Sequence, residues 1–180
     1  SPTLVAFLGS TIGNFPRDEA VRLLSHIAGE MGPTDRFLLG ADLIKAPALI
    51  TRAYNDSKVV TAAFNLNVLE RLNRELKANF PVSDYQHRAF YSSEQHRVEM
   101  HLFAKRAHTV TIPEIGDISI EKGESIRTEL SYKYDRPILT DILSPSGLSI
   151  VQWMPADAAS LPLALARPEG CALFLSPPEA

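Results

Sequence analysis

Thr3-Leu4-Val5-Ala6-Phe7-Leu8-Gly9-Ser10-Thr11-Ile12-Gly13-Asn14 decides the reading of the fold. Its first half is a nearly continuous apolar run, which suits a strand covered on both faces, as in a parallel sheet. Gly9 to Asn14 then form a turn, and Pro16 marks a helix start. Ala20, Leu23, Leu24, Ile27 and Met31 follow at helical spacing, and Gly32-Pro33 stop the run. Residues 37–42 make a second apolar strand that ends on Asp42. Strand, helix and strand in this order form a βαβ unit with parallel strands. Ligands of such α/β sheets gather beyond the carboxyl ends of the strands. That places Gly9 to Asn14, and the region after Asp42, at a candidate site.

Downstream the period changes. A helical region broken near Asn55-Asp56 carries Val60, Phe64, Val68, Leu69, Leu72 and Leu76 as one apolar face, with Asn65, Asn67 and Asn73 unusual within it. Residues 97–104, 109–112, 118–120 and 125–132 then read as closely spaced strands of an antiparallel sheet. These segments form an α+β insertion, so the expected division is 1–49, 50–133 and 134–180. Asp135 and Pro137 predict a last helix. Residues 148–154 and 171–175 are expected to return as strands to the first sheet, joined by a linker of prolines and alanines.

Composition excludes more than it assigns. A net charge of −3 gives no case for nucleic acid or an anionic membrane surface as partner. A single cysteine, Cys171, allows no internal disulfide, and its apolar neighbours suggest an inert thiol. No run approaches ~18 consecutive apolar residues and no leader is visible, so a cytoplasmic protein is expected. The five histidines show no metal-ligand spacing, and no metal is expected. No GxGxxG, phosphate-binding loop or GxSxG elbow is present.

Three groups of residues can carry chemistry. The Gly9–Asn14 turn lets a backbone approach a ligand closely, and Asn14 adds a side-chain amide. It can equally be a plain strand-to-helix turn. Glu129 and Ser131, two apart in a strand, share a face, and a carboxylate beside a hydroxyl can hold a group with two nitrogens. Arg127 and Lys133 fall on that face too, which leaves an exposed, salt-bridged face as the alternative. Tyr54 and Met100 can each be simple packing residues.

Taken in order, the segments Phe7–Asn14, Leu38–Lys45, Ala53–Asp56, Thr61–Leu69, Asn73–Leu76, Arg97–Leu102 and Gly123–Ser125 running into Thr128–Tyr134 resemble one family. It is the histidine Nα-methyltransferases of ergothioneine biosynthesis. The ordered set is specific although each motif alone is weak, and the resemblance covers residues 4 to about 148.

That resemblance implies an α/β fold: part of a Rossmann-like class I methyltransferase sheet with an inserted α+β substrate-binding domain. S-adenosylmethionine would be the methyl donor and the α-amine of L-histidine the acceptor, ending at the trimethylated betaine. Asn14 would hold the backbone end of the amino acid, Tyr54 its carboxylate, and Glu129 with Ser131 the imidazole. Gly9 and Thr11 would line the pocket and Met100 would sit near the substrate. The cofactor loop of the family lies upstream, so the chain is expected to be the C-terminal portion, inactive alone. Val59 departs from the family's usual glycine, and the tail beyond Trp153 diverges. A methyltransferase for another amino acid and a non-catalytic histidine-binding module are the alternatives.

Overall fold

A computed structural model of the protein describes residues 1–155 and 162–169. In chain order its elements are β1 (Leu4–Phe7), α1 (Arg17–Gly29), β2 (Arg36–Gly40), α2 (Pro47–Tyr54), α3 (Val60–Leu76) and β3 (Tyr85–Ser92). They continue with β4 (Arg97–Ala104), β5 (His108–Ile112), β6 (Gly116–Ile120), β7 (Ser125–Tyr132), α4 (Arg136–Leu143), β8 (Leu148–Met154) and β9 (Leu163–Pro168). The chain divides into two compact units: residues 1–43 with 133 onward, and residues 44–132. No described helix is long and apolar enough to cross a membrane.

The first unit is an α/β layer with strand order β1-β2-β9-β8. β1 and β2 pair in parallel, as the βαβ reading expects, and β9 runs antiparallel between β2 and β8. An antiparallel strand on an otherwise parallel sheet is common in doubly wound folds. The core lies where α1 and α4 cover the sheet: Ala20, Leu24, Phe37, Leu39, Leu139, Ile142, Leu143 and Leu148 are buried. Each large side chain among them contributes about 1.5–3 kcal/mol relative to exposure. Asp135 starts α4 as expected, its carboxylate accepting the Ile138 amide at 2.8 Å.

Two expectations are corrected in this unit. The faces of β1 are not both covered, since Leu4 and, just past the strand, Leu8 are exposed; among the described residues it pairs with β2 alone. The last described strand is Leu163–Pro168, inside the stretch read as a linker. Residues 171–175, with Cys171, lie outside the described residues.

In the second unit, β3-β4-β7 form an antiparallel sheet and β5-β6 a separate hairpin. β3 was not expected from the sequence. Leu69, Phe80, Tyr85, Leu102 and Ala104 form one core cluster with Val110, Ile112 and Ile120 of the hairpin. Ile50, Ala89, Val98 and Met100 form another, with Tyr54 and Tyr91 packed against it. The expected apolar face of α3 is also corrected. Val60 and Phe64 are each 64% exposed, whereas Asn65 and Leu69 are buried. The helix is rotated so that a polar amide faces inward.

Candidate functional site

β7 carries Glu129 and Ser131, and its local geometry differs from a regular strand. The register against β4 shifts between Met100 and His101: Met100 opposes Glu129, but His101 opposes Arg127. Thr128 is the extra residue, and its hydroxyl donates to the Met100 carbonyl at 3.0 Å. A bulge of this kind breaks the alternation of faces. Ile126, opposite Leu102, now shares a face with Glu129 and Ser131, while Arg127 turns to the other face opposite His101.

The salt-bridged-face alternative therefore fails. Arg127 is on the opposite side of the sheet, and Ser131 is buried. Lys133 belongs to the other unit, where it is 2% exposed and pairs with Asp42 at 2.9 Å.

What surrounds Glu129 and Ser131 is mostly apolar. Their cross-strand partners are Met100 and Val98, both buried, with Ala89 next to Met100 on β3. α2 lies over this face through Ile50 and Tyr54. The Tyr54 hydroxyl donates to the Ser131 oxygen at 2.9 Å. Tyr54, Met100, Glu129 and Ser131 are thus brought together on one face of one unit. Hydrogen bonds in such low-dielectric surroundings are stronger than in water. Along the strand, Glu129 and Ser131 are spaced about 7 Å apart. A small ring with a nitrogen on each side can bridge that span with two hydrogen bonds of about 2.9 Å each.

On the reverse face, Arg97, Glu99, His101 and Tyr132 form their own network. His101 Nε2 lies 3.0 Å from Glu99, and Arg97 donates to the Tyr132 hydroxyl at 2.7 Å and to Glu99. Burial pushes the Glu99 carboxyl up, but the hydrogen bonds from His101 and Arg97 outweigh it and hold it below its ordinary value. These charges satisfy each other on the side of the sheet away from Glu129.

Gly9, Thr11 and Asn14 lie in the α/β unit, at the carboxyl end of β1. Gly9 has φ +77° and Ser10 φ 59°, so the chain turns through two left-handed residues before a 3₁₀ turn over Thr11–Asn14. Three contacts hold the turn. The Asp42 amide donates to the Ser10 hydroxyl at 2.8 Å, the Tyr134 hydroxyl to the Ile12 carbonyl at 3.2 Å, and the Thr11 hydroxyl to the Leu8 carbonyl at 3.2 Å. Asn14 itself is exposed.

Several structural partners of the site escaped the sequence reading. Asn55, at the C-terminal end of α2, bonds the Ala89 backbone of β3, His87 of β3 bonds the Tyr54 carbonyl, and Asn65 backs His87 from α3. The asparagines at the helix break and inside α3 were visible signals. Nothing singled out His87.

Comparison with known proteins adds the chemistry. A family model described as histidine-specific, S-adenosylmethionine-dependent methyltransferase matches residues 1–168. A histidine N-alpha-methyltransferase of Mycobacterium tuberculosis is 40% identical over 164 residues, covering 91% of this chain and 51% of that protein. Ergothioneine biosynthesis protein 1 of Neurospora crassa is 31% identical over 153 residues, covering 83% of this chain and 17% of that one. A 4-dimethylallyltryptophan N-methyltransferase of Epichloe festucae var. lolii is 30% identical over 163 residues, covering 82% and 47%. The chain spans about half the length of the Mycobacterium and Epichloe relatives.

Proposed function

The chain belongs to the family of histidine-specific, S-adenosylmethionine-dependent methyltransferases, and from that premise we propose that it is the substrate-recognising part of an enzyme that methylates the α-amine of L-histidine. The trimethylated betaine is the end product, the pathway is that of ergothioneine, and the compartment is the cytoplasm. One observation carries the reading: Glu129 and Ser131 stand side by side in an apolar setting, with Tyr54 bonded to Ser131.

Imidazole carries one N–H and one bare nitrogen. A carboxylate only accepts and a hydroxyl can donate, so Glu129 takes the N–H and Ser131 serves the other nitrogen. A side chain lacking either nitrogen leaves one of these groups unmatched, and an unmatched buried polar group penalises the wrong substrate. Met100 and Tyr54 close the apolar surround. Gly9, Thr11 and Asn14 serve the amino and carboxyl end, with Tyr54 assisting at the carboxylate. The amine attacks only when neutral, so the chain's work is to bind and orient it rather than to hold it as an ion pair.

S-adenosylmethionine supplies the methyl group when bound. The turn after β1 is not a glycine-rich GxGxxG loop, and Asp42, just past the end of β2, pairs with Lys133. Recognition of the amino acid is accordingly the contribution of these residues.

A second reading keeps the fold and changes the amino acid to an indole-bearing one, as the name of the Epichloe relative suggests. Glu129 beside Ser131 favours imidazole, since indole has one N–H and no bare nitrogen. Calorimetric titration of the full-length protein, with S-adenosylhomocysteine present, separates the two readings. Binding of L-histidine without L-tryptophan supports the first and the reverse pattern supports the second. Binding of neither removes both.

A further inference from the structure

The C-terminal end of α2 is held to β3 by the Asn55 side chain and by His87, which is backed in turn by the buried Asn65. Asn55 lies against the outer edge of β3, where its Nδ2 donates to the Ala89 carbonyl at 2.9 Å and its Oδ1 accepts the Ala89 amide at 3.2 Å. This side chain does what a neighbouring strand would do. One residue earlier, the Tyr54 carbonyl lies 3.0 Å from His87 Nε2.

A carbonyl can only accept, so His87 carries its proton on Nε2. In the neutral ring Nδ1 then accepts, from Asn65 Nδ2 at 2.9 Å. Asn65 is 1% exposed, and among the described residues its buried Oδ1 has no hydrogen-bond partner. Turning the amide over would set that oxygen against Nδ1, acceptor to acceptor. Asn65 therefore has one orientation compatible with His87, and it keeps that orientation with an unmatched oxygen. Buried polar atoms left unmatched are rare and call for a reason.

We propose that His87 is a positioning residue for substrate binding: through its Nε2–H on the Tyr54 carbonyl it sets where the Tyr54 hydroxyl stands against Ser131. The Asn65 amide selects the tautomer of His87 that can do this. Asn55 fixes the residue after Tyr54, so the backbone on the C-terminal side of this tyrosine has little freedom to move. The phenol then reaches the Ser131 oxygen at 2.9 Å from a helix end fixed by these bonds. His87 acts through Tyr54 and touches no substrate atom. The proposal rests on the reading of Tyr54 and Ser131 as substrate-binding groups.

The test compares His87→Gln with His87→Asn in the full-length protein. A glutamine amide can reach the Tyr54 carbonyl; an asparagine amide stops near the Nδ1 position and cannot. The first readout is the ¹³Cζ NMR signal of Tyr54, assigned by its loss in Tyr54→Phe, which does not depend on the substrate's identity. It moves in His87→Asn and stays near its wild-type position in His87→Gln. The second readout is turnover of histidine. KM rises about five- to tenfold in His87→Asn, the size expected for one hydrogen bond, with kcat within about twofold.

On a Tyr54→Phe background His87→Asn adds little, because the group it positions is gone. Asn65→Ala supplies an independent arm and displaces the Tyr54 signal in the same direction. Unmoved Tyr54 signals in His87→Asn or in Asn65→Ala overturn the proposal. So does a full, independent KM rise on the Tyr54→Phe background. If the wild-type enzyme fails to turn over histidine, the functional reading falls while the NMR arm still decides the role of His87.

Discussion

The Tyr54 hydroxyl donates to the Ser131 oxygen at 2.9 Å, linking the end of α2 to the C-terminal end of β7 across 77 residues of sequence. The contact couples the two hydroxyls, so a change at one is felt at the other. Tyr54→Phe and Ser131→Ala should each reduce kcat/KM for histidine, and their effects should not add. A double-mutant cycle is expected to show a coupling of about 1 kcal/mol. Strict additivity would mean that the bond has no part in substrate recognition.

On the proposed reading, Glu129 carries the selectivity. With the carboxylate gone, the imidazole N–H loses its acceptor, and Glu129→Ala should weaken histidine use by about 2 kcal/mol, roughly a 30-fold loss in kcat/KM. The discrimination between histidine and other amino acids should shrink in parallel. Competition kinetics with a mixture of amino acids measures both at once. Unchanged discrimination would remove Glu129 from the imidazole assignment.

Asp56 caps α3. Its carboxylate accepts the Thr61 amide at 2.9 Å and the Val60 amide at 3.0 Å. Hydrogen bonds from the Thr61 backbone and side chain, then from Val60, hold its pKa at about 2. The unfolded chain has an ordinary value of about 3.9. A folded pKa depressed in this way contributes stability above about pH 4, and the contribution is lost as pH falls through about 2. Asp56→Asn should therefore be less stable than wild type near neutrality, and the gap should close across that acidic window. Denaturant melts at several pH values show whether it does.

Val59 stands just before α3 with φ 60° and ψ 17°, in the left-handed region. A β-branched residue is strained there by about 1–2 kcal/mol. Glycine removes the strain at an entropic cost of about 0.5–1 kcal/mol. Val59→Gly should stabilise the protein by about 0.5–1 kcal/mol without changing turnover, as thermal unfolding would show.

Lys133 is buried against Asp42 at 2.9 Å, just past the end of β2. Removing the lysine takes one charged hydrogen bond from Asp42, which is 22% exposed and also accepts the Leu43 amide, at a cost of about 1.5–3 kcal/mol. Lys133→Met should lower the denaturation midpoint accordingly. A variant as stable as wild type would show that the pair contributes little.

The parts legible in the sequence are those with strong local signals. The apolar runs of β1 and β2 around an amphipathic α1 announce a parallel pair, and Asp135 with Pro137 announces α4. The strands β4 and β7 alternate clearly enough to place Glu129 and Ser131 on a common face. What stayed hidden depends on tertiary context. The bulge at Thr128, which removes Arg127 from the site face, has no compositional mark. β3 interleaves Tyr85, His87, Ala89 and Tyr91 with Gln86 and Arg88, a weak apolar alternation. β9 is short, alanine-rich and follows a proline, so it reads as a linker. The turning of α3 that buries Asn65 answers to His87, a partner 22 residues away.

The central claim is that the site methylates histidine. The most direct measurement is mass spectrometry of L-histidine incubated with S-adenosylmethionine and the full-length protein containing this chain. The expected result is stepwise appearance of mono-, di- and trimethylated histidine, with every methyl on the α-nitrogen. A folded, cofactor-binding protein that leaves histidine unchanged, or methylates tryptophan in its place, would contradict the account.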